Sequence, residues 1–327
     1  MIGAGSWGTA LALQFARSRR EIRLWGRDAL QMETMAKARM NTRYLPGAGF
    51  PDNVKALSDL RECLDGARDV LVSVPSHALR ATLAAIEPLL AADARVCWAS
   101  KGFELESGKL PHQVAREVLG QERPMAVLSG PTFAKEVGAG LPTAMTIAAN
   151  DSDFAEELAQ SLSGDNFRAY TSNDIVGVEV GGAVKNILAI GAGISDGLGF
   201  GANSRIALIT RGLVEMTRLG VALGAKKETF MGLAGLGDLA LTCTDDQSRN
   251  RRMGLALASG KSVAEAAAEI RQVVEGVKAA KAVHEVAKKR GIEMPICHQV
   301  YRILYEGVSP LEAVGTLMRR QIRPEHG

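Results

Sequence analysis

Lys185 stands in "GGAVKNILAIGAG", a stretch otherwise apolar or rich in glycine. A lysine so placed has two readings. Its stem can snorkel along apolar surface and deliver the ammonium to water. Alternatively the amine is desolvated, which lowers its pKa and lets it exchange a proton near neutral pH. Asp238, in "GLAGLGDLALTCT", has equally apolar surroundings. A carboxylate there needs a partner, and Lys185 is a fitting one. "DDQSRNRRMG" gathers Ser248, Arg249, Asn250, Arg251 and Arg252. An arginine and an amide from such a cluster can hold a phosphate bidentately. The plainer reading is a basic, solvated helix face. Lys101 directly follows the apolar run "VCWAS", a place that suits function better than mid-helix would.

A second constellation is Gly3-x-Gly5-x-x-Gly8 in "MIGAGSWGTALALQFARSRR". Gly3 allows a tight turn, Gly5 lets the backbone approach a pyrophosphate, and Gly8 lets the helix pack on its strand. The helix N-terminus then faces the phosphates. With 35 glycines in the chain accidental matches occur, so the weight lies in context. A helix follows, and a strand ends about 20 residues further on, as a dinucleotide fingerprint requires. Arg27 stands at the tip of that strand in "LWGRD", with Asp28 after it. An arginine there accommodates a 2′-phosphate, which favours NADP or use of both cofactors; a surface arginine in water is the alternative. A secretory signal is not expected, because Arg17, Arg19 and Arg20 follow the apolar stretch instead of preceding it.

Such groups need a sheet to hold them. The first half alternates β-like runs at 21–25, 69–75, 94–102, 125–131, 143–149 and 167–174 with helical stretches such as "DALQMETMAKARM" and "HALRATLAAIEPLL". "DVLVSVP" is a near-continuous apolar run, as in a parallel strand buried on both faces. Strands separated by helices predict a doubly wound, Rossmann-type, mostly parallel sheet. Ligands bind such sheets beyond the carboxyl ends of the strands. Pro75, Ser76, His77, Lys101, Gly130 and Thr132 fall there, His77 suiting a helix start or the surface. From about residue 178 no strand is predicted. "GGAVKNILAIGAGISDGLG", "NSRIALITRGLVEMTRLGVALG", "VVEGVKAAKAVHEVAKKRG" and "SPLEAVGTLMRR" read as helices. The third ends on a cationic turn and Gly291, and the fourth starts on Ser-Pro. The fold class is therefore α/β: a dinucleotide-binding domain at 1–178, then an all-helical substrate and catalytic domain at 179–327. A long helix beginning near residue 174 carries the chain across.

The bulk numbers agree. A chain of 327 residues suits two domains. A net charge of +3 is close to neutral and marks no nucleic-acid partner. No run of about 18 uninterrupted apolar residues occurs, so no membrane span is expected. Cys63, Cys97, Cys243 and Cys297 are scattered, and the histidines lack ligand spacing. Buried or free thiols in a reducing compartment, and no metal site, are the expectation.

Taken in order, "GAGSWGTALA", "VPSH", "KGFE", "SGPTFAKEV", "GGAVKNILAIGAG", "MGLAGLGDLALTCT", "SRNRRMG" and "VVEGVKAAK" resemble the bacterial NAD(P)-dependent glycerol-3-phosphate dehydrogenases along nearly the whole chain. The resemblance implies a cytoplasmic, homodimeric, metal-free enzyme. It would interconvert sn-glycerol 3-phosphate and dihydroxyacetone phosphate with NAD(P)(H), a small-molecule phosphate substrate, and supply phospholipid synthesis. Gly3, Gly5, Ser6, Trp7 and Gly8 would meet the cofactor, with Arg27 by the adenosine ribose, Tyr44 nearby and Ala134 also on the cofactor. Lys101 would reach both cofactor and substrate, and Gly130 and Thr132 would line the substrate pocket. Lys185 would be the general acid and base, with Asn186 beside it and Asp238 and Thr242 tuning it. Ser248, Arg249 and Asn250 would hold the phosphate, Arg249 also facing the cofactor. Val273 and Glu275 would close over the nicotinamide.

One feature departs from the resemblance. Family members carry several residues before "IGAGS" that complete the first strand, whereas Met1 stands here where that strand should be running. The expectation is exposed neighbouring strands and a loosened glycine turn. Two alternative functions remain at this point: a related 3-hydroxyacid or ketopantoate-type reductase acting on a carboxylate, and a non-catalytic NADPH-binding sensor. "SRNRR" favours phosphate over the first, and Lys101, Lys185 and Asp238 argue against the second.

Overall fold

The structure is a computed structural model and describes residues 1–322 and 324. Residues 323 and 325–327, within the expected helical domain, lie outside the described residues. The strands are β1 (Ile22–Trp25), β2 (Val54–Leu57), β3 (Asp69–Val72), β4 (Arg95–Trp98), β5 (Met125–Ser129), β6 (Thr143–Ala149) and β7 (Phe167–Ser172). β1 pairs with β2, and β3 to β7 pair in sequence order. Every pairing is parallel except β5 with β6.

Ile2 joins the two ladders, bridging Trp25 on one side and Val72 on the other. Its N–H donates to the Leu71 carbonyl (2.7 Å), its carbonyl accepts from Ser73 (2.8 Å), and the Gly3 N–H donates to the Trp25 carbonyl (2.9 Å). This corrects the expectation of a loosened turn. Ile2, Leu24 and Val72 are all 0% exposed. Successive residues of a central strand bond to its two edges in turn, Ile2 to the β3 side and Met1 and Gly3 to Trp25, so the few residues Met1–Gly3 are enough to close the sheet and pin the glycine turn.

β5 is buried along its whole length because the sheet is covered on both faces. On one face lie helices Ser6–Arg17, Ala29–Ala38 and Ser152–Leu162, with Leu11, Phe15, Leu128 and Phe154 in their core. On the other lie Leu79–Ile86 and Pro111–Leu119, with Leu83, Trp98, Val114 and Val127. Several strands stop short of their expected ends, β3 at Val72, β4 at Trp98 and β5 at Ser129. The leftover residues, among them Pro75, Lys101 and Gly130, form the loops at the carboxyl edge of the sheet.

After β7, Asp174 caps the helix Ile175–Gly197. It accepts from the N–H of Gly177 and of Lys226, both at 2.9 Å. By length and composition this helix could cross a membrane, yet 94% of its apolar window is buried inside the protein. It is the centre of the helical part, packed by helices Gly201–Ala222, Asp238–Thr244, Arg249–Ala258, Glu275–Arg290 and Pro295–Tyr305. Its glycines allow backbone contact: a Cβ on Gly193 would lie 2.0 Å from the Arg251 carbonyl oxygen, and one on Gly254 would lie 2.1 Å from that of Ile190. No strand follows β7 among the described residues.

Candidate active site

The glycine turn separates two kinds of glycine. Gly3 has φ +112°, and a Cβ there would lie 2.3 Å from the Ser73 carbonyl oxygen. A Cβ on Gly8 would lie 1.9 Å from the Gly3 carbonyl oxygen. Gly5 differs, with nothing within 4 Å of the place a Cβ would take. It is the N-cap of helix Ser6–Arg17, and no side chain caps that end. First-turn N–H groups and the positive end of the helix dipole are thus left without a side-chain cap, the arrangement that receives a phosphate.

The surroundings fit the same ligand. The Ser6 hydroxyl donates to the Tyr44 carbonyl at 2.7 Å. Asn41 ties the loop to the turn, donating to the Ala4 carbonyl (3.0 Å) and to the Thr9 hydroxyl (2.8 Å). The Trp7 indole N–H is buried without a partner, an unspent donor in the turn. Arg27 is exposed just past β1. His77, held below its ordinary pKa first by burial and then by Lys278 and Arg27, belongs to the same cationic edge. These features suit a dinucleotide.

The second constellation comes from three remote segments. Lys101 lies just past β4, Lys185 in the middle of the long helix, and Asp238 at the start of a helix that follows a π-helical turn, Leu233–Gly237. Such turns recur at functional sites. Asp238 accepts from the Lys101 ammonium at 2.8 Å through Oδ2 and from the Lys185 ammonium through Oδ1. Lys185 also donates to the Thr242 hydroxyl (3.1 Å), which donates to the Asp238 carbonyl (2.5 Å).

Burial decides between the two readings of Lys185. Its side chain is 9% exposed and that of Asp238 1%, so the amine does not snorkel to water. Desolvation pushes Lys185 down to about 8; the Asp238 carboxylate opposes this and the Lys101 ammonium adds to it. Burial alone would raise Asp238, but Lys101 and Lys185 outweigh it and hold the carboxyl below its ordinary range. Glu275, at the start of helix Glu275–Arg290, is raised by burial against the pull of Arg249, Lys101 and Lys185.

The "SRNRR" residues divide. Ser248 caps its helix, accepting from the Arg251 N–H at 3.2 Å. Asn250 donates to Asn186 (2.9 Å) and accepts from the Gly276 N–H (2.9 Å). Arg251 is locked by Asp196 and Asp246. The half-buried Arg249 donates to the Val273 carbonyl at 2.9 Å, at the edge of the site. Ser248, Asn250 and Arg251 are buried, so this is not a solvated basic face. Thr132 folds back on the Gly130 carbonyl (3.2 Å), and Gly130 presses on Met145, whose Cα would lie 2.8 Å from a Cβ there. Ala134 opens helix Ala134–Ala139.

Sequence reasoning missed Lys101 as the second partner of Asp238, and it missed Ser129. The Ser129 hydroxyl is buried and unpartnered at the end of β5. A Cβ on Gly182 would meet both it and the Lys101 stem at 3.3 Å. The available signal was its place ahead of Gly130 at the end of a buried run. All four cysteines are buried and free. No group of three or more metal-ligating side chains occurs among the described residues.

Models of the NAD-dependent glycerol-3-phosphate dehydrogenase N-terminus and C-terminus match residues 1–155 and 174–315. The chain belongs to that family. A glycerol-3-phosphate dehydrogenase [NAD(P)+] of Aeromonas hydrophila is 54% identical over 326 residues, covering 99% of this chain and 98% of the relative. The crystal structure of a glycerol-3-phosphate dehydrogenase from Coxiella burnetii superposes with a TM-score of 0.95 at 50% identity, covering 98% of each chain. A ketopantoate reductase from Ralstonia eutropha, at 19% identity and a TM-score of 0.59 over 96% of this chain and 98% of that one, shares the fold alone.

Proposed function

We propose that this protein interconverts dihydroxyacetone phosphate and sn-glycerol 3-phosphate by hydride transfer with NAD(P)(H), NADPH being favoured by Arg27, and so supplies glycerol 3-phosphate for phospholipid synthesis. The observation that carries the reading is the convergence of Lys101 and Lys185 on buried Asp238, in a chain that also builds an open glycine turn. The nicotinamide, when bound, supplies or accepts the hydride.

The chain's own residues do the rest. In reduction the Lys185 ammonium holds the ketone oxygen, stabilises the negative charge that develops there and passes it a proton. In oxidation the neutral amine takes that proton back. Asp238 and Thr242 hold Lys185 in place, and Lys101 spans cofactor and substrate. Arg249, with Ser248 and Asn250, grips the phosphate, and this remote binding positions the reacting carbon. Gly130, Thr132 and Asn186 line the substrate side. Gly3, Gly5, Ser6, Trp7, Gly8, Tyr44 and Ala134 hold the cofactor, while Val273 and Glu275 close the nicotinamide end. The same reading makes the protein a cytoplasmic homodimer with its domain boundary near residue 178, inside the long helix.

A spectrophotometric assay tests this. Dihydroxyacetone phosphate is expected to drive oxidation of NADPH, and of NADH less efficiently, while ketopantoate drives neither. Turnover with ketopantoate alone overturns the substrate; tight NADPH binding without turnover on either overturns the enzyme.

A further inference from the structure

The two lysines lie on opposite sides of the junction between sheet and long helix. Lys101 follows Trp98 of β4 by three residues, and Lys185 follows Glu179 of the long helix by six. Glu179 is 3% exposed. Its Oε1 accepts from the Trp98 indole N–H (3.0 Å) and from the His112 backbone N–H (2.9 Å). Its Oε2 lies 2.6 Å from Nδ1 of His112. Trp98 and His112 belong to two different elements of the sheet domain, β4 and helix Pro111–Leu119. A carboxylate so buried is tolerated only when its partners are all in place.

Between Glu179 and Lys185 the helix presses directly on the site. A Cβ on Gly181 would lie 2.3 Å from the carbonyl oxygen of Ala234, in the π-helical turn that leads to Asp238. A Cβ on Gly182 would lie 3.3 Å from Cγ of Lys101. One residue of register along an α-helix is about 1.5 Å and 100°, and a misplacement of about 1 Å in an active site costs up to about 100-fold in rate. The glycines set how closely the helix approaches the site; the Glu179 carboxylate adds directed bonds that tie the helix to β4 and to helix Pro111–Leu119.

We propose that Glu179 is a positioning residue: its bonds to Trp98 and His112 fix the long helix against β4 and thereby set the spacing of Lys185 from Lys101. It acts through those residues and touches neither substrate nor cofactor. This inference rests on the dehydrogenase reading above.

The test compares steady-state kinetics and thermal melting of Glu179→Leu, Glu179→Gln and Trp98→Phe with the wild type, on dihydroxyacetone phosphate and NADPH. Glu179→Leu is expected to lower kcat about tenfold or more with the KM for NADPH within about twofold. Glu179→Gln, whose amide oxygen still accepts from Trp98 and the His112 N–H, is expected to restore kcat to within about threefold. Trp98→Phe keeps an aromatic ring, a smaller one, and removes one donor; a fall in kcat of about tenfold, clearly beyond that of Glu179→Gln, carries the same conclusion if the leucine variant does not fold. A wild-type kcat in Glu179→Leu or Trp98→Phe, with only the melting temperature lowered, overturns the role. A wild type inactive on dihydroxyacetone phosphate instead counts against the functional reading itself.

Discussion

The glycine turn and the lysine–aspartate cluster are built by opposite means. The turn is backbone: within eight residues, Gly3 and Gly8 close against Ser73 and against each other, and Gly5 leaves a gap with no side chain in it. The cluster is side chain: residues 101, 185 and 238 come from three remote segments and meet only through tertiary contacts. One site works because atoms are absent, the other because charges are crowded and dry. The packed glycines of the turn leave no room for an added side chain, the open one does, and the cluster tolerates neither gain nor loss.

The sharpest break in this contrast is Lys185→Ala. It is expected to lower reduction of dihydroxyacetone phosphate by about 1000-fold, while fluorescence titration finds NADPH affinity within about twofold of wild type. Near-normal turnover would remove Lys185 from the chemistry. Next comes Arg249→Ala, which deletes a charged hydrogen-bond donor worth about 1.5–3 kcal/mol. The KM for dihydroxyacetone phosphate should rise about 10- to 100-fold, and by more than the KM for NADPH; equal increases would move Arg249 to the cofactor. The smallest effects come from the turn. Gly8→Ala forces a methyl onto a carbonyl oxygen and should cost about 1–3 kcal/mol of stability, read as a lower melting temperature. Gly5→Ala should melt like wild type and raise only the KM for NADPH. Equal melting losses in the two variants would erase the distinction between a packed glycine and an open one.

The same contrast governs what the sequence disclosed. The turn was legible because its geometry is local: three glycines, a helix and a strand stand in one short segment. Strand β6 was legible at 143–149 as an apolar run, but its antiparallel direction was not, since direction depends on where the intervening helix Ala134–Ala139 returns the chain. β2 escaped notice because "VKAL" buries only Val54 and alternates weakly. The shortened first strand misled, because the bonds of Met1, Ile2 and Gly3 to the two neighbouring strands are long-range and no local pattern announces them.

In the cluster, residue type and apolar setting were enough to single out Lys185 and Asp238 and to pair them. The second partner, Lys101, was seen as functional but not as a neighbour of Asp238, since nothing in a buried strand end says which helix it will meet. Glu179 and His112 drew no attention for the same reason. A glutamate inside "GVEVGG" reads as a helix residue until the helix is docked.

The central claim is that burial, set against the Asp238 carboxylate, tunes Lys185 to carry the proton. The direct measurement is the pH dependence of turnover in both directions with saturating substrates. Reduction needs the charged ammonium, so its rate is expected to fall as pH rises through about 8, and oxidation, which needs the neutral amine, to rise through the same value. A reduction rate that stays level until about pH 10, where an ordinary lysine titrates, would contradict it.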